Sequence, residues 1–465
     1  MIWVIKIKQL LAKVLEKIKP SKKEILEEEI FSRKLIEKVR KTGRGQVEVL
    51  LAGSLARGTH LKGDRDIDIF VLFPEDYSRK EFEREGLRIG KAVFRGHKWE
   101  KAYSEHPYIR GEISGFKVDI VPSYKITGTE SKKSAVDRSP FHNAYLQKKL
   151  SEKQKDEVRL LRQFLKGVKA YGAELKTSSV PGYVTELLIL NYGDFESTIK
   201  AVAKWEKEEV IDIEKQLAED YARKTFGAPL IVVDPVDKNR NVAAALSLNQ
   251  FSRVIAAARA FLKKPSTNFF FGKKAKTLTA AQAKKFIEKE GLIVIEFSYP
   301  AKTVSDVFWG QLKRMRKKIV NELERKEFAV LRSSEWTDEK MHAVIVFDLK
   351  SNKLERAAKR VGPEVTNEPH SERFLKFHKN PLSGPRIEHG RWVVEIERKH
   401  WVATIFLKEL LKKLSQTEKA NIARALKKRS GVMADPKVLA FYNKNKAFKE
   451  WFSSYLKGKE EFGEY

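Results

Sequence analysis

Two carboxylates, Asp66 and Asp68, stand one residue apart at the head of the apolar run DIDIFVLF. On an extended strand, residues two apart project to the same face. Asp66 and Asp68 are therefore neighbours, and Ile67, Ile69, Val71 and Phe73 fill the face behind them, to pack on helices beneath a sheet. Like charges at this spacing raise each other's pKa unless a cation lies between them. Oxygen ligands so placed suit a hard divalent ion such as Mg²⁺, which takes one or two carboxylates plus substrate phosphates. The same alternation in FKVDIVPSY buries Phe116, Val118 and Ile120 and turns Asp119 to the other side, where it can meet the first two across the sheet. Three carboxylates make two metal ions possible, one activating a terminal hydroxyl and one holding a nucleoside triphosphate and its leaving pyrophosphate. This is the chemistry of nucleotidyl transfer.

Upstream, AGSLARG places Gly53 and Ser54 where a strand gives way to a helix start. Backbone amides at such a turn bind phosphate, and glycine allows close approach. Ser54 and Arg57 would then grip a triphosphate tail from the side opposite the metals. Alone, Gly-Ser suits any strand-to-helix turn, and the aspartate pair suits a solvated strand face. Together, and followed by a lone aspartate in an apolar strand, they leave few competing explanations. The sequence contains no G-x-x-x-x-G-K-[ST] phosphate loop, no H-E-x-x-H zinc pair and no G-x-S-x-G nucleophile turn.

The elements that must carry these residues are legible in outline. An amphipathic helix opens the chain, and Ser21 followed by Glu24 caps a second helix that ends near Gly43 and Gly45. VEVLLAGS, IDIFVLF and FKVDIVPSY read as strands, with GEISG as the turn before the last. The periodicity is mostly helical from Phe141 to about Leu262, interrupted by PLIVVDPVDKNRN, and FLKKPSTNFFFGKKAKTLTAAQ is the linker candidate. Beyond it, LIVIEFSYP, HAVIVFDLK and RWVVEIERKHWVATIFL read as strands among helices such as DVFWGQLKRMRKKIVNELERK. The expected architecture is a multidomain α+β chain with segments 1–140, 141–264 and 265–465.

Composition limits the partner. The 465 residues allow about three domains. Lys and Arg number 93 against 62 Asp and Glu, a formal charge of +31, while 42% of residues are hydrophobic. This describes a folded protein with a polyanion for a partner, and the lysines are spread along the chain, not gathered on one membrane helix. The absence of cysteine excludes disulfides, thiolate zinc sites and thiol nucleophiles. No segment has the roughly 18 uncharged apolar residues of a membrane span, so the expectation is a soluble, cytoplasmic protein.

GSLARGTHLKGDRDIDIFVLF resembles the signature of the polymerase-beta-like nucleotidyltransferase superfamily. Within it, AVDRSPFHNAYL, EVRLLRQFLKGVKAYGAE, VVDPVDKNRNVAAALS and FLKFHKNPLSGPRIEHGRW resemble the archaeal, class I CCA-adding enzymes, tRNA nucleotidyltransferases that build or repair the 3′ CCA end. The resemblance implies a mixed-sheet catalytic palm, a helical neck that selects the base, and an α+β body and tail that bind the tRNA acceptor stem and TΨC arm. It implies two Mg²⁺ ions on Asp66, Asp68 and Asp119, CTP and ATP as substrates, no nucleic-acid template, and a homodimer. Family members often have Glu where this chain has Asp66, which keeps the charge but shortens the reach. The resemblance matches Ser54 and Arg57 to triphosphate contacts, with His142, Arg162 and Tyr171 also at the nucleotide. Arg162 stands where homologues can have Lys, so its geometry differs.

Arg240 matches an arginine that helps choose the base, and its rigid fork of donors suits the acceptor edge of cytosine. Asp237 and Asn241 shape this loop, and Asn241 equally suits a capped helix start. Arg373, Lys376 and Lys379 are candidate contacts to the phosphates of an A-form stem, which proteins recognise through backbone, 2′-hydroxyls and shape. The rival enzyme is a poly(A) polymerase-type transferase. A small-molecule nucleotidyltransferase needs neither the positive charge nor the extra domains. The rival from another class is an RNA-binding protein with an inactive transferase domain, against which all three carboxylates are present.

Overall fold

A computed structural model describes residues 2–103, 105–272, 277–289, 291–300, 303–460 and 462, with side chains from residue 6. The chain forms two compact units, one of Met1–Lys274 with Glu460–Tyr465 and one of Ala275–Lys459.

The first unit begins with helices α1 (Ile2–Ile18) and α2 (Lys22–Thr42). Ser21 and Glu24 cap the latter reciprocally and Gly43 ends it, as expected. A five-stranded sheet follows, from β1 (Glu48–Ala52), β2 (Asp66–Phe73), β3 (Trp99–Tyr103), β4 (Pro107–Ile113) and β5 (Phe116–Tyr124), in the order β1-β2-β5-β4-β3. The short helix α3 (Gly53–Ala56) joins β1 to β2, and α4 (Arg79–Val93) lies in the crossover from β2 to its parallel partner β5. Ile67, Ile69, Val71, Phe73, Val118 and Ile120 form one buried face against Leu35 and Val39 of α2 and Phe82, Ile89 and Val93 of α4. The alternation in both strands is the expected one, and it leaves the aspartates on the opposite face. β3 and β4 have no counterpart among the expected strands: WEKAY is mostly exposed, and the expected GEISG turn is itself mostly strand, Gly111–Ile113 ending β4 and only Ser114 and Gly115 reversing the chain into β5.

The rest of this unit is largely helical: α5 (Ser139–Lys149), α6 (Glu152–Gly167), α7 (Gly182–Tyr192), α8 (Phe195–Val202), α9 (Glu219–Phe226), α10 (Leu248–Lys263) and α11 (Asn268–Phe271). The interruption around PLIVVDPVDKNRN is a small sheet of β6 (Glu209–Ile211), β7 (Leu230–Asp234) and β8 (Asp237–Asn241), in that order. The division between the two units falls inside the expected linker stretch, but two finer expectations need correction. Phe269 and Phe270, within the expected linker, are core residues packed with Phe164, Phe195 and Phe261, so apolar burial overrides the Pro-Gly-Lys character of the stretch. Residues 273–276 of that stretch lie outside the described residues. Asn241 does not start a helix. It ends β8, and its side chain ties Val232 N–H, Leu230 C=O and Ala243 N–H; the next helix begins at Leu248, capped by Ser247.

The second unit contains α12 (Ala280–Ile287), β9 (Leu292–Ser298), α13 (Ser305–Arg325), β10 (Val330–Thr337), β11 (His342–Leu349), β12 (Ala357–Glu364), α14 (Glu368–Phe377), β13 (Ser383–Glu388) and β14 (Arg391–Glu397). It closes with α15 (Ala403–Thr417), α16 (Ala420–Lys428), β15 (Ser430–Met433), α17 (Asp435–Lys444) and α18 (Lys446–Lys457). One sheet has the order β10-β11-β9-β15 and a second the order β12-β14-β13. The stretch expected as the strand RWVVEIERKHWVATIFL is β14 only as far as Glu397, and its ATIFL end starts α15, whose Phe406, Leu407, Leu410 and Leu411 form a buried helical stripe. Among the described residues no helix is long and apolar enough to cross a membrane.

Candidate active site

The parallel register of β2 and β5 sets Asp68 directly beside Asp119 and Asp66 beside Lys117. Residues opposed in this way project to the same face, so the three aspartates share one side of two adjacent strands. Burial pushes the Asp68 carboxyl up to about 6, with Asp119 and then Asp66 adding to the shift and Arg57 and Arg110 opposing it. A half-buried carboxylate pressed by two others is a site that favours a cation.

The nearest cations come from the chain itself. Arg110, opposite Asp119 on β4, donates Nε–H and Nη2–H to both of its carboxylate oxygens at 2.7 and 2.6 Å. Lys117 lies 3.6 Å from Asp66. With Asp119 so engaged, no three His, Cys, Asp or Glu side chains among the described residues close on a common point. The donor set nevertheless fits a divalent ion: all oxygen, anionic and partly desolvated.

Gly53, the first residue of α3, has φ +76°, a conformation open to glycine. A β-carbon there would collide with Asp68 Oδ2, so the turn and the acidic strand touch because residue 53 has no side chain. Ser54 follows in the same turn, its C=O accepting from Thr59 N–H at 2.9 Å. Arg57, at the end of α3, donates Nε–H and Nη2–H to the two oxygens of Glu186, both at 2.9 Å. Nη1 meets Asn143 at a longer 3.4 Å.

Glu186 organises this part of the site. It is fully buried on α7, accepts from Thr59 Oγ1 at 2.5 Å, and lies 3.2 Å from Arg162 Nη2. Burial alone would raise its pKa, but Arg57 and Arg162 hold its carboxyl below the usual range. Arg162 is buried as well, its other nitrogens bonded to Thr59 C=O and Thr185 Oγ1. Both arginines thus have an internal partner that the sequence did not reveal. Gly182, opening α7, has no side chain to separate the Tyr171 hydroxyl from Arg162, and burial raises the Tyr171 pKa. The buried hydroxyl of Tyr183, within the field of Glu186 and Arg57, has no hydrogen-bond partner among the described residues, an arrangement that a polar ligand would satisfy.

The ring of His142 packs at a tilt of 33° against Tyr183 with centroids 4.3 Å apart, and its Nε2 lies 2.8 Å from Asp234 Oδ2. Burial lowers the His142 pKa against the pull of Asp234. The same oxygen accepts from Arg240 Nη1 at 2.9 Å, and the Arg240 side chain is one-third exposed. Asp237 is held by Lys132 and Arg138 at 2.6 and 3.1 Å, which braces the β7–β8 turn. Arg57 is electrostatically coupled to both Asp68 and Tyr183, and Tyr183, His142, Asp234 and Arg240 follow in direct contact. Arg373, Lys376 and Lys379 are all exposed, the first two on α14 and the last just beyond it, in the second unit.

Sequence reasoning did not single out Arg110, Tyr183, Glu186 or Asp234. Glu186 carried a usable signal, a lone charge in the apolar run GYVTELLILNY, since a carboxylate there must find a cationic partner.

Three family models match the chain: a nucleotidyltransferase domain over residues 32–142, the second domain of tRNA nucleotidyltransferase over 156–271, and the C-terminal domain of CCA-adding enzyme over 290–435. A CCA-adding enzyme of Archaeoglobus fulgidus is 39% identical over 83% of this chain and 85% of its own. The chain belongs to the CCA-adding enzyme family. A CCA-adding enzyme of Methanosarcina mazei is 37% identical over 86% of this chain and 88% of its own, and one of Methanocaldococcus jannaschii is 38% identical over 80% and 84%. The five-stranded sheet, with Asp66, Asp68 and Asp119 on one face, thus lies within the nucleotidyltransferase domain of a CCA-adding family member.

Proposed function

We propose that this protein adds or repairs the 3′-terminal CCA of tRNA, using CTP and ATP, without copying a nucleic-acid template. The observation that carries the reading is the register of Asp68 against Asp119, beside the Gly53 turn, in a chain matched to this family along both units. Asp66, Asp68 and Asp119 are the residues that would hold two Mg²⁺ ions. Bound there, Mg²⁺ supplies activation of the RNA terminal hydroxyl and charge balance for the pyrophosphate that leaves.

The chain's own groups do the positioning. The backbone of Gly53 and Ser54 receives the triphosphate from the side of α3. Arg57, with two nitrogens committed to Glu186, presents Nη1, which would exchange its long contact with Asn143 for a phosphate oxygen; Arg162 adds positive potential from beneath, and His142, Tyr171 and Tyr183 line the way to the base. Arg240, anchored on one nitrogen, offers the rest of its fork to the base edge. Residues 1–140 act as the catalytic palm, 141–264 as the base-selecting neck and 265–465 as the tRNA-binding body and tail. The formal charge of +31 suits the acceptor stem and TΨC arm, and the protein works as a cytoplasmic homodimer.

The test uses tRNA lacking its last three nucleotides, with each nucleotide supplied separately and then together. Two CMP additions with CTP alone, and AMP addition after them, are expected. Continued AMP addition without CTP would identify a poly(A) polymerase, and tRNA binding with no incorporation would identify an RNA-binding protein.

A further inference from the structure

Asp234 is fully buried at the last position of β7, and its two carboxylate oxygens have different partners. Oδ2 accepts from Arg240 Nη1 at 2.9 Å and lies 2.8 Å from His142 Nε2; Oδ1 accepts from Val236 N–H at 3.2 Å. The ladder between β7 and β8 shifts register between Val233 and Asp234, and an irregularity of this kind re-aims a side chain. Gln216 Nε2 holds the Asp234 C=O at 3.0 Å, so the backbone as well as the side chain is fixed. The Tyr183 hydroxyl, which lacks a partner among the described residues, feels the Asp234 charge, and Arg138, paired with Asp237, acts on His142 through its own charge.

We infer that Asp234 is a specificity-positioning residue: one oxygen atom fixes His142 and Arg240 together, so the triphosphate side and the base side of the nucleotide pocket cannot move independently. This rests on the assignment of Arg240 to base selection proposed above. The chemistry follows from the donors. His142 Nε2–H and Arg240 Nη1–H both point at one acceptor, and an arginine held on a single nitrogen keeps its plane while its other donors stay available. Free of Asp234, the guanidinium would sample many rotamers, and discrimination between base edges would fall.

Asp234→Asn separates this role from simple packing. The amide has one oxygen and one NH₂ group. If the oxygen stays on Val236 N–H, the NH₂ faces two donors; if it turns to Arg240 and His142, Val236 loses its acceptor. A charge-assisted bond is lost in the first case and weakened in the second. The expected result is a fall in the preference for CTP over UTP on tRNA ending in the discriminator base, by roughly ten-fold or more on the scale of hydrogen bonds to charged groups. The readout is kcat/KM for each nucleotide in single-turnover incorporation.

Two further variants complete the test. Arg240→Gln should lose the preference to a similar extent, and the double variant should be no worse than Arg240→Gln alone. Unchanged preference in Arg240→Gln would reject the assignment of Arg240 itself. Preference lost in Arg240→Gln but intact in a folded Asp234→Asn would reject the role of Asp234 alone. Should Asp234→Asn not fold, Asp234→Glu retains the charge on a longer stem, and wild-type preference in that variant would equally reject the inference.

Discussion

Arg110 holds Asp119 with two parallel hydrogen bonds of 2.7 and 2.6 Å, so the carboxylate proposed to bind metal is neutralised by the neighbouring strand. A bidentate pair of this kind is strong and geometrically specific, and it occupies the oxygens that a divalent ion would use. Arg110 and the ion therefore compete. Mn²⁺ titrated into nucleotide-free protein and followed by electron paramagnetic resonance should bind Arg110→Gln more tightly than wild type. Equal affinities would mean that the arginine swings aside without cost.

Asp68 ties the site to stability. Its carboxyl is pushed up to about 6 when folded, above the ~3.9 of an unfolded aspartate, so the folded state binds the proton more tightly. Stability from this group is then fully present below about pH 4 and is lost as pH rises from about 4 through about 6. Above that, ionised Asp68 costs on the order of 3 kcal/mol in metal-free protein. Asp68→Asn should raise the melting temperature at pH 7.5 without metal, lose most of that advantage by pH 4, and abolish nucleotide incorporation. A variant that melts at or below wild type at pH 7.5 would contradict the assignment of strain to this carboxylate.

Glu186→Gln is expected to act in the opposite sense. The substitution leaves Arg57 and Arg162, both nearly buried, without their shared counter-charge. Breaking a buried pair from one side costs about 3–5 kcal/mol. Urea unfolding should show a markedly lower midpoint at unchanged slope, and an effect below about 1 kcal/mol would mean that water or a rearranged partner reaches the arginines.

Binding of tRNA should weaken steeply with salt, because cationic side chains that pair with phosphates release counterions. Replacing Arg373, Lys376 and Lys379 together by Ala should lower the slope of log affinity against log salt by about one for each phosphate that is no longer neutralised. A slope equal to wild type in filter-binding assays would remove these three residues from the RNA interface.

The parts of the site legible in the sequence are those whose reason is local. Alternation in DIDIFVLF and FKVDIVPSY specifies both the strands and the face of each aspartate, because a period of two is written in consecutive residues. The strand WEKAY escapes such a reading since four of its five residues are exposed and Glu and Lys interrupt it, and an edge strand of this kind carries little apolar pattern. Phe269 and Phe270 read as linker because composition shows turn residues but not the aromatic cluster waiting elsewhere in the chain. Glu186 and Asp234 illustrate the limit most clearly. Glu186 is defined by Arg57 and Asp234 by His142, partners far away in sequence, so only the fold reveals that these carboxylates are anchors.

The parallel pairing of β2 with β5 has a consequence for how the enzyme comes into being. Adjacent antiparallel strands could bring their charges together as soon as a hairpin closes, but these two are joined through α4, β3 and β4. A ribosome therefore releases Asp66 and Asp68 well before Asp119 exists to oppose them. Mutual repulsion among the acids is postponed until the intervening segments have docked, and a nascent chain has no complete cation trap to expose prematurely.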